Sequence, residues 1–333
     1  MRTLDGAMVG AFSARGVVPE AVRQTAEQTI EENHRWHPPA DSSQIPSSSN
    51  SSNSGSNGSN SGSSALLSPQ ATQSTLRVRF FGHFEMLCDE ELIHLGRNGK
   101  ALTILKYLLA HRSRPVSQDH LMGWLWPHSN LKKARWSLNS AIHTLRKLLG
   151  ECGAATGSAN HSYVVLEEGY YRLCSEVHIL SDVDEFDTHY ERGRRLHREE
   201  GTLERAASHY ERAISLYRGE YLVEDLYEDW TMVERERLSN AYIDMLGRLA
   251  HYYHRTDQHQ ESIRACYRIL EKDRCHEESY RALMRSYSCL GLRGRALRQY
   301  RLCERTLRQE YGSAPSAETQ ALYLSIMSGQ AMS

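Results

Sequence analysis

Between residues 131 and 149 the side chains sort into two chemistries when placed at about 100° per residue. Ala134, Leu138, Ala141, Ile142, Leu145, Leu148 and Leu149 share an apolar face. The opposite face carries Lys132, Trp136, Asn139, Ser140, His143 and Lys147, with Lys133 beside Lys132 and with Arg135 and Arg146 on the flank. No Asp or Glu occurs from residue 120 to residue 150. Such a face suits a polyanion. Lys and Arg gain affinity by displacing counterions from phosphates, and Asn, Ser and Arg can pair with donors and acceptors on base edges. A merely solvated basic face would carry the same residues, so the flanking elements have to decide between the two readings.

Those elements can be read from periodicity. Leu76, Val78 and Phe80 alternate with Arg77 and Arg79, and Phe84, Met86 and Cys88 alternate after Gly82, which predicts two half-buried strands. A third short strand is expected over residues 92 to 95. Ala101, Leu105, Leu108 and Leu109 form one face of a first helix that ends before Pro115. Ser117 is placed to cap a second helix carrying Leu121, Trp124 and Leu125, which Pro127 stops. The basic helix is third; Ser129 is its expected cap, and Gly150 sits where a glycine would end it. Residues 163 to 166 and 170 to 173 then read as a hairpin around Glu167-Glu168-Gly169. A basic helix that follows two short helices and precedes a hairpin is a helix-turn-helix with a wing.

From Asp182 onward the pattern is helical and repetitive. Tyr280, Leu283, Met284, Tyr287, Gly291, Ala296, Tyr300 and Cys303 have tetratricopeptide-like spacing. Ile263, Tyr267 and Leu270 match Ala296, Tyr300 and Cys303 one unit earlier, and Ala206, Tyr210 and Ala213 repeat the spacing again. Residues 218 to 229 break the period. Stacked helix pairs of this kind bury a continuous core between neighbours.

The chain has 333 residues with 24% charged and 40% hydrophobic residues, enough for two domains and tails. No apolar run approaches the roughly 20 residues that span a bilayer, and residues 1 to 10 lack a secretory apolar region. A cytoplasmic protein with no membrane partner is expected. Residues 40 to 64 are nearly all Ser, Asn and Gly, a composition that cannot offset the entropy of ordering, and residues 19 to 32 could form one short helix. The scattered cysteines have no C-x-x-C pair, which argues for reduced thiols rather than disulfides or a thiolate metal site. Gly96-Arg97-Asn98-Gly99-Lys100 lacks the spacing of a phosphate loop. His251 and His254 share a helical face without an acidic or thiolate partner at ligand spacing, so packing or exposure is their expected role. Arg298, Arg301, Arg305 and Arg308 form a stripe that reads as a solvated face, with acids between residues 220 and 236 as partners. No nucleophile, base or metal constellation assembles, so no catalytic residue, cofactor or metal ligand is assigned.

The stretch from residue 76 to 173 resembles the OmpR/PhoB-type winged helix. Ala134-Arg135 through Leu145-Arg146-Lys147-Leu148-Leu149-Gly150 resembles its recognition helix, and Gly169-Tyr170-Tyr171-Arg172-Leu173 its closing strand. Residues 182 to 327 are similar to the bacterial transcriptional activator domain that follows this winged helix in the antibiotic regulatory protein family. The likeness rests on Leu283-Met284, Gly291, Ala296-Leu297, Tyr300, Glu310-Tyr311-Gly312 and Ala314-Pro315-Ser316-Ala317-Glu318-Thr319. The expected fold is mainly α: an unassigned region over 1–75, an α+β winged helix over 76–178 and an all-α repeat domain over 181–328. The resemblance implies double-stranded DNA and RNA polymerase as partners, with a homodimer on repeated half-sites. It makes Lys132, Lys133, Arg135, Trp136, Asn139, Ser140, His143, Arg146, Lys147 and Arg172 the DNA-contacting set, and Pro127, His128 and Ser129 the polymerase-facing loop. Two departures stand out: Glu167 and Glu168 put negative charge on the wing, and Trp136 stands where a smaller polar residue is expected. The competing reading is a helical-repeat scaffold that binds a peptide and uses the winged helix for docking.

Overall fold

Alternation of buried and exposed side chains sets the first sheet. The computed structural model describes residues 75–88, 90–96, 99–155, 163–174 and 178–329; the Ser/Asn/Gly-rich stretch and the short helix expected before it lie outside them. In β1 (Thr75–Arg79) Leu76 and Val78 are buried while Arg77 faces solvent. β1 pairs antiparallel with β2 (Glu85–Cys88), setting Val78 opposite Met86. β3 (Glu91–Leu92) is shorter and earlier than the strand expected over 92 to 95. Two helices follow: α1 (Gly99–Ala110), and then, after β4 (Val116–Ser117), α2 (Gln118–Leu125). Ser117 holds the N-cap position of α2 but makes no side-chain cap bond.

The basic helix is α3 (Leu131–Ala155); it starts at the expected residue, while its expected cap and its expected end are corrected. Asn130, not Ser129, caps it: Asn130 Oδ1 accepts from Lys133 N at 2.9 Å, while Ser129 N is spent on the carbonyl of Trp126 at 3.1 Å. Gly150 does not end it. The helix continues to Ala155 because an interior glycine costs only about 1 kcal/mol relative to alanine and Gly150 keeps a negative φ. β5 (Val164–Glu167) and β6 (Tyr170–Leu173) form the expected hairpin. The two connecting residues, Glu168 (φ 49) and Gly169 (φ 84), both adopt the left-handed conformation that a type I′ turn demands. β6 also pairs with β4, giving a second sheet of order β4-β6-β5.

β7 (His178–Ser181), absent from the sequence reading because it is short and not alternating, lies parallel to β1. It completes the order β3-β2-β1-β7 and runs directly into α4 (Asp182–His197). Helix hairpins then stack: α4 with α5 (Leu203–Leu216), α6 (Asp229–Arg255) with α7 (His259–Lys272), and α8 (Glu277–Cys289) with α9 (Arg293–Tyr311). α10 (Ala317–Ser328) covers the last pair. The repeat signal has a packing cause. A Cβ on Gly193 in α4 would meet the Tyr210 ring of α5 at 2.5 Å, so the tyrosine lies on bare backbone.

The segment that breaks the repeat is the one that crosses to the winged helix. Phe81 and Tyr221 form an antiparallel bridge, Leu222 N donates to Phe80 O at 2.9 Å, and Gly82 N donates to Glu220 O at 2.9 Å. The approach is close enough that a Cβ on Gly219 would sit 3.2 Å from the Cα of Gly82. Phe81 packs its ring against Phe186 and Tyr217, with centroids 5.1 and 4.8 Å away, and Phe80 stacks on Tyr221 at 5.5 Å. Asp182 accepts the backbone N–H groups of Phe80 and Phe81 at 2.8 and 3.1 Å. Lys106, 4% exposed, places Nζ 2.6 Å from Asp225 and 3.8 Å from Glu224. Arg112 pairs with Asp184, and Trp230 packs on Tyr107. Winged helix and repeat domain therefore share one hydrophobic core. Among the described residues no helix is long and apolar enough to cross a membrane.

Candidate nucleic-acid interface

The apolar stripe of α3 fixes which way its polar residues point. Ala134, Leu138, Ile142, Leu145 and Leu149 are buried, with Ala141 and Leu148 half-buried, as α3 packs on α1 and α2. That leaves Lys132, Lys133, Arg135, Trp136, Asn139, Ser140, His143 and Lys147 exposed. Trp136 is 72% exposed, so its ring does not pack against the neighbouring loop. Arg146 is exposed but partly committed: its Nε donates to the Val164 carbonyl at 3.0 Å and ties α3 to the hairpin.

The hairpin is braced against α2 through Gln118 N, which donates to Gly169 O at 2.9 Å. On it, Arg172 pairs with Glu167 at 2.6 Å, so one of the two wing carboxylates is neutralised by a residue assigned to DNA contact. Leu166 and Tyr170 are exposed on the same hairpin. In sequence Tyr170 marks the closing strand, and its odd parity relative to buried Tyr171 is the signal that it faces outward.

In the loop before α3, Pro127 and His128 are exposed and Ser129 is half-buried. On the helical domain, Leu226, Tyr227, Met232 and Val233 leave apolar side chains exposed around the start of α6, a feature hidden in sequence by the surrounding acids. The arginine stripe Arg298, Arg301, Arg305 and Arg308 is exposed as expected, but not paired as expected. Arg308 pairs with Glu304 of its own helix, whereas the acids offered as partners serve Lys106, Lys272 and Arg237. His251 is exposed, and His254 is half-buried and lies near His259 and Cys289.

Comparison with known proteins agrees with this architecture. Residues 91–170 match the C-terminal domain of transcriptional regulatory proteins, and residues 181–327 match the bacterial transcriptional activator domain. Mycobacterium tuberculosis EmbR, solved in complex with a low-affinity phosphopeptide, superposes with a TM-score of 0.63 at 23% identity, covering 78% of this chain and 67% of that one. The C-terminal TPR-containing domain of an FK506-binding protein from Plasmodium falciparum is matched with a TM-score of 0.35 at 14% identity, over 44% of this chain and 89% of that one. No curated protein matches the sequence. The chain thus joins an OmpR/PhoB-type winged helix to a bacterial transcriptional activator domain with a TPR-like fold, the domain order of a transcription regulator.

Proposed function

We propose that the chain binds double-stranded DNA sequence-specifically through the outer face of α3 and activates transcription by recruiting RNA polymerase, within domains spanning 76–178 and 181–328. The observation that carries this reading is the exposed, acid-free face of α3. Asn139 and Arg135 are assigned to base edges, where amide and guanidinium groups can pair with two atoms at once. Lys132, Lys133 and Lys147 meet phosphates, with Ser140 and His143 between the two sets and Trp136 stacking on sugar or a thymine methyl. Arg146 and Arg172 add backbone contacts at the hairpin, Arg172 exchanging Glu167 for phosphate. A homodimer on repeated half-sites would double this footprint.

Activation is assigned to the loop holding Pro127, His128 and Ser129, together with the adjoining repeat domain. Loops positioned by a rigid scaffold often carry contacts, and neither capping nor core packing occupies His128. The test is an operator selected from random duplexes with the full chain, followed by reconstituted transcription. His128→Ala is expected to keep operator affinity and to lower promoter-dependent transcription. Failure to select any duplex sequence would refute the reading, and unchanged transcription would remove the loop from it.

A further inference from the structure

Three helix ends meet at one side of the repeat domain, and each brings a metal-binding side chain. His254 stands in the last turn of α6, His259 is the first residue of α7 and Cys289 the last of α8. One ligand atom from each lies within 4.8 Å of the other two. Two imidazoles and a thiol are a donor set that zinc-class ions favour. Tetrahedral coordination, with Zn–N about 2.0 Å and Zn–S about 2.3 Å, needs donors roughly 3.5 Å apart, so rotation of side chains at these ends by about 1 Å closes the site.

A second observation points to a ligand. His259 is only 13% exposed, and its Nδ1 is buried with no hydrogen-bond partner, a costly state for a polar nitrogen. Its other nitrogen, Nε2, faces Asp257 at 3.7 Å, within a small rotation of the carboxylate-to-histidine contact that commonly supports a metal-bound imidazole. His254 is prepared in a similar way. Ser262 donates to the Ala250 carbonyl at 2.9 Å and Ser286 donates to Ser262 at 3.2 Å, which leaves the Ser286 oxygen to accept from His254 Nδ1 at 3.5 Å. That relay puts the proton on Nδ1 and the free lone pair on Nε2. No local spacing signals this cluster, because its members come from three helices and meet only on folding.

We propose that His254, His259 and Cys289 bind one zinc-class divalent ion, with water as the fourth ligand, and so pin the α6–α7 hairpin to the end of α8. On binding, the Cys289 thiol loses its proton to solvent and the two imidazoles bind neutral. The ion then stabilises the folded repeat domain by mass action.

The experiment titrates the chelator-treated full chain with Co²⁺ and then with Zn²⁺. A thiolate-to-cobalt charge-transfer band is expected to saturate at a single equivalent, to disappear on addition of Zn²⁺, and to be absent in Cys289→Ser. By calorimetry, His259→Gln is expected to weaken Zn²⁺ binding by more than the roughly 10- to 100-fold that follows loss of a hydrogen bond to a ligand. Zn²⁺ should raise the unfolding midpoint of the wild type but not of Cys289→Ser. Since Cys289 is exposed, that variant without metal should melt as the metal-free wild type does. Absence of the band, or a band retained in Cys289→Ser, would overturn the proposal.

Discussion

The outer face of α3 and the seam between the two domains use charge in opposite ways. At the seam each charge has its partner inside the chain: Lys106 is buried against Asp225 and Glu224, and Asp182 holds the backbone of Phe80 and Phe81. On α3 the cations and amides stand in solvent, with no acid within the stretch from 120 to 150 to answer them. Buried charge must be paired where it stands, because desolvation without a partner is costly. Exposed charge is tolerated unpaired, and it remains available to a polyanion. The difference separates the charges that fix the fold from those left open to a partner.

If the seam is a single structural unit, breaking it should have the largest consequence. Phe81→Ala removes a ring that touches Phe186 and Tyr217 across the seam and should lower stability by about 3–5 kcal/mol. Denaturant unfolding followed by two probes should show the wild type melting in one transition and this variant losing that coincidence. Two independent transitions in the wild type would show that the shared core does not couple the domains.

A smaller effect sharpens the electrostatic half of the comparison. At Glu224, desolvation pushes the carboxyl pKa up, but backbone N–H bonds (including that of Phe84), Lys106 and His83 outweigh it and hold it below its ordinary 4.5. Its stabilisation is therefore complete above that ordinary value and is lost as pH falls through the lowered folded value. Asp182 runs the other way. Burial raises its carboxyl, and the Phe80 and Phe81 N–H groups and Arg218 pull it back only in part. Its share of stability accordingly rises as pH falls through the raised value. Glu224→Gln should flatten the acid limb of a stability-against-pH curve, and a limb unchanged by this variant would leave Glu224 out of the seam's acid response.

The smallest effect concerns α3 itself. Gly150 is helical and a Cβ there meets nothing within 4 Å, so Gly150→Ala should raise stability by about 1 kcal/mol, read as an increase in the unfolding midpoint. Destabilisation would restore the reading of Gly150 as a helix end.

The same comparison explains what could be read in advance. The α3 face, the hairpin and the first two strands follow from spacing within a few turns of chain, and local periodicity reports such spacing directly. Asp182 bonds to a residue 102 positions away and Lys106 to one 119 positions away, and no periodicity carries that information. In sequence the seam left only a negative mark, the interruption of the repeat at residues 218 to 229. Residues such as Gly219 and Tyr221 there answer to Gly82 and Phe81 rather than to the neighbouring repeat. Asn130 and Gly150 show the ordinary limit at helix ends, where several residues could serve and the fold selects one.

One titration addresses the proposed DNA-reading role of α3. Affinity of the full chain for its selected operator and for a random duplex would be measured across a salt series for the wild type, Asn139→Ala and Lys147→Ala. Asn139→Ala should lose about 1–3 kcal/mol on the operator and little on the random duplex, while Lys147→Ala should weaken both alike and reduce the salt slope by about one. Identical behaviour of the two variants on both duplexes, or wild-type affinity that ignores salt, would contradict the assignment of this helix to DNA.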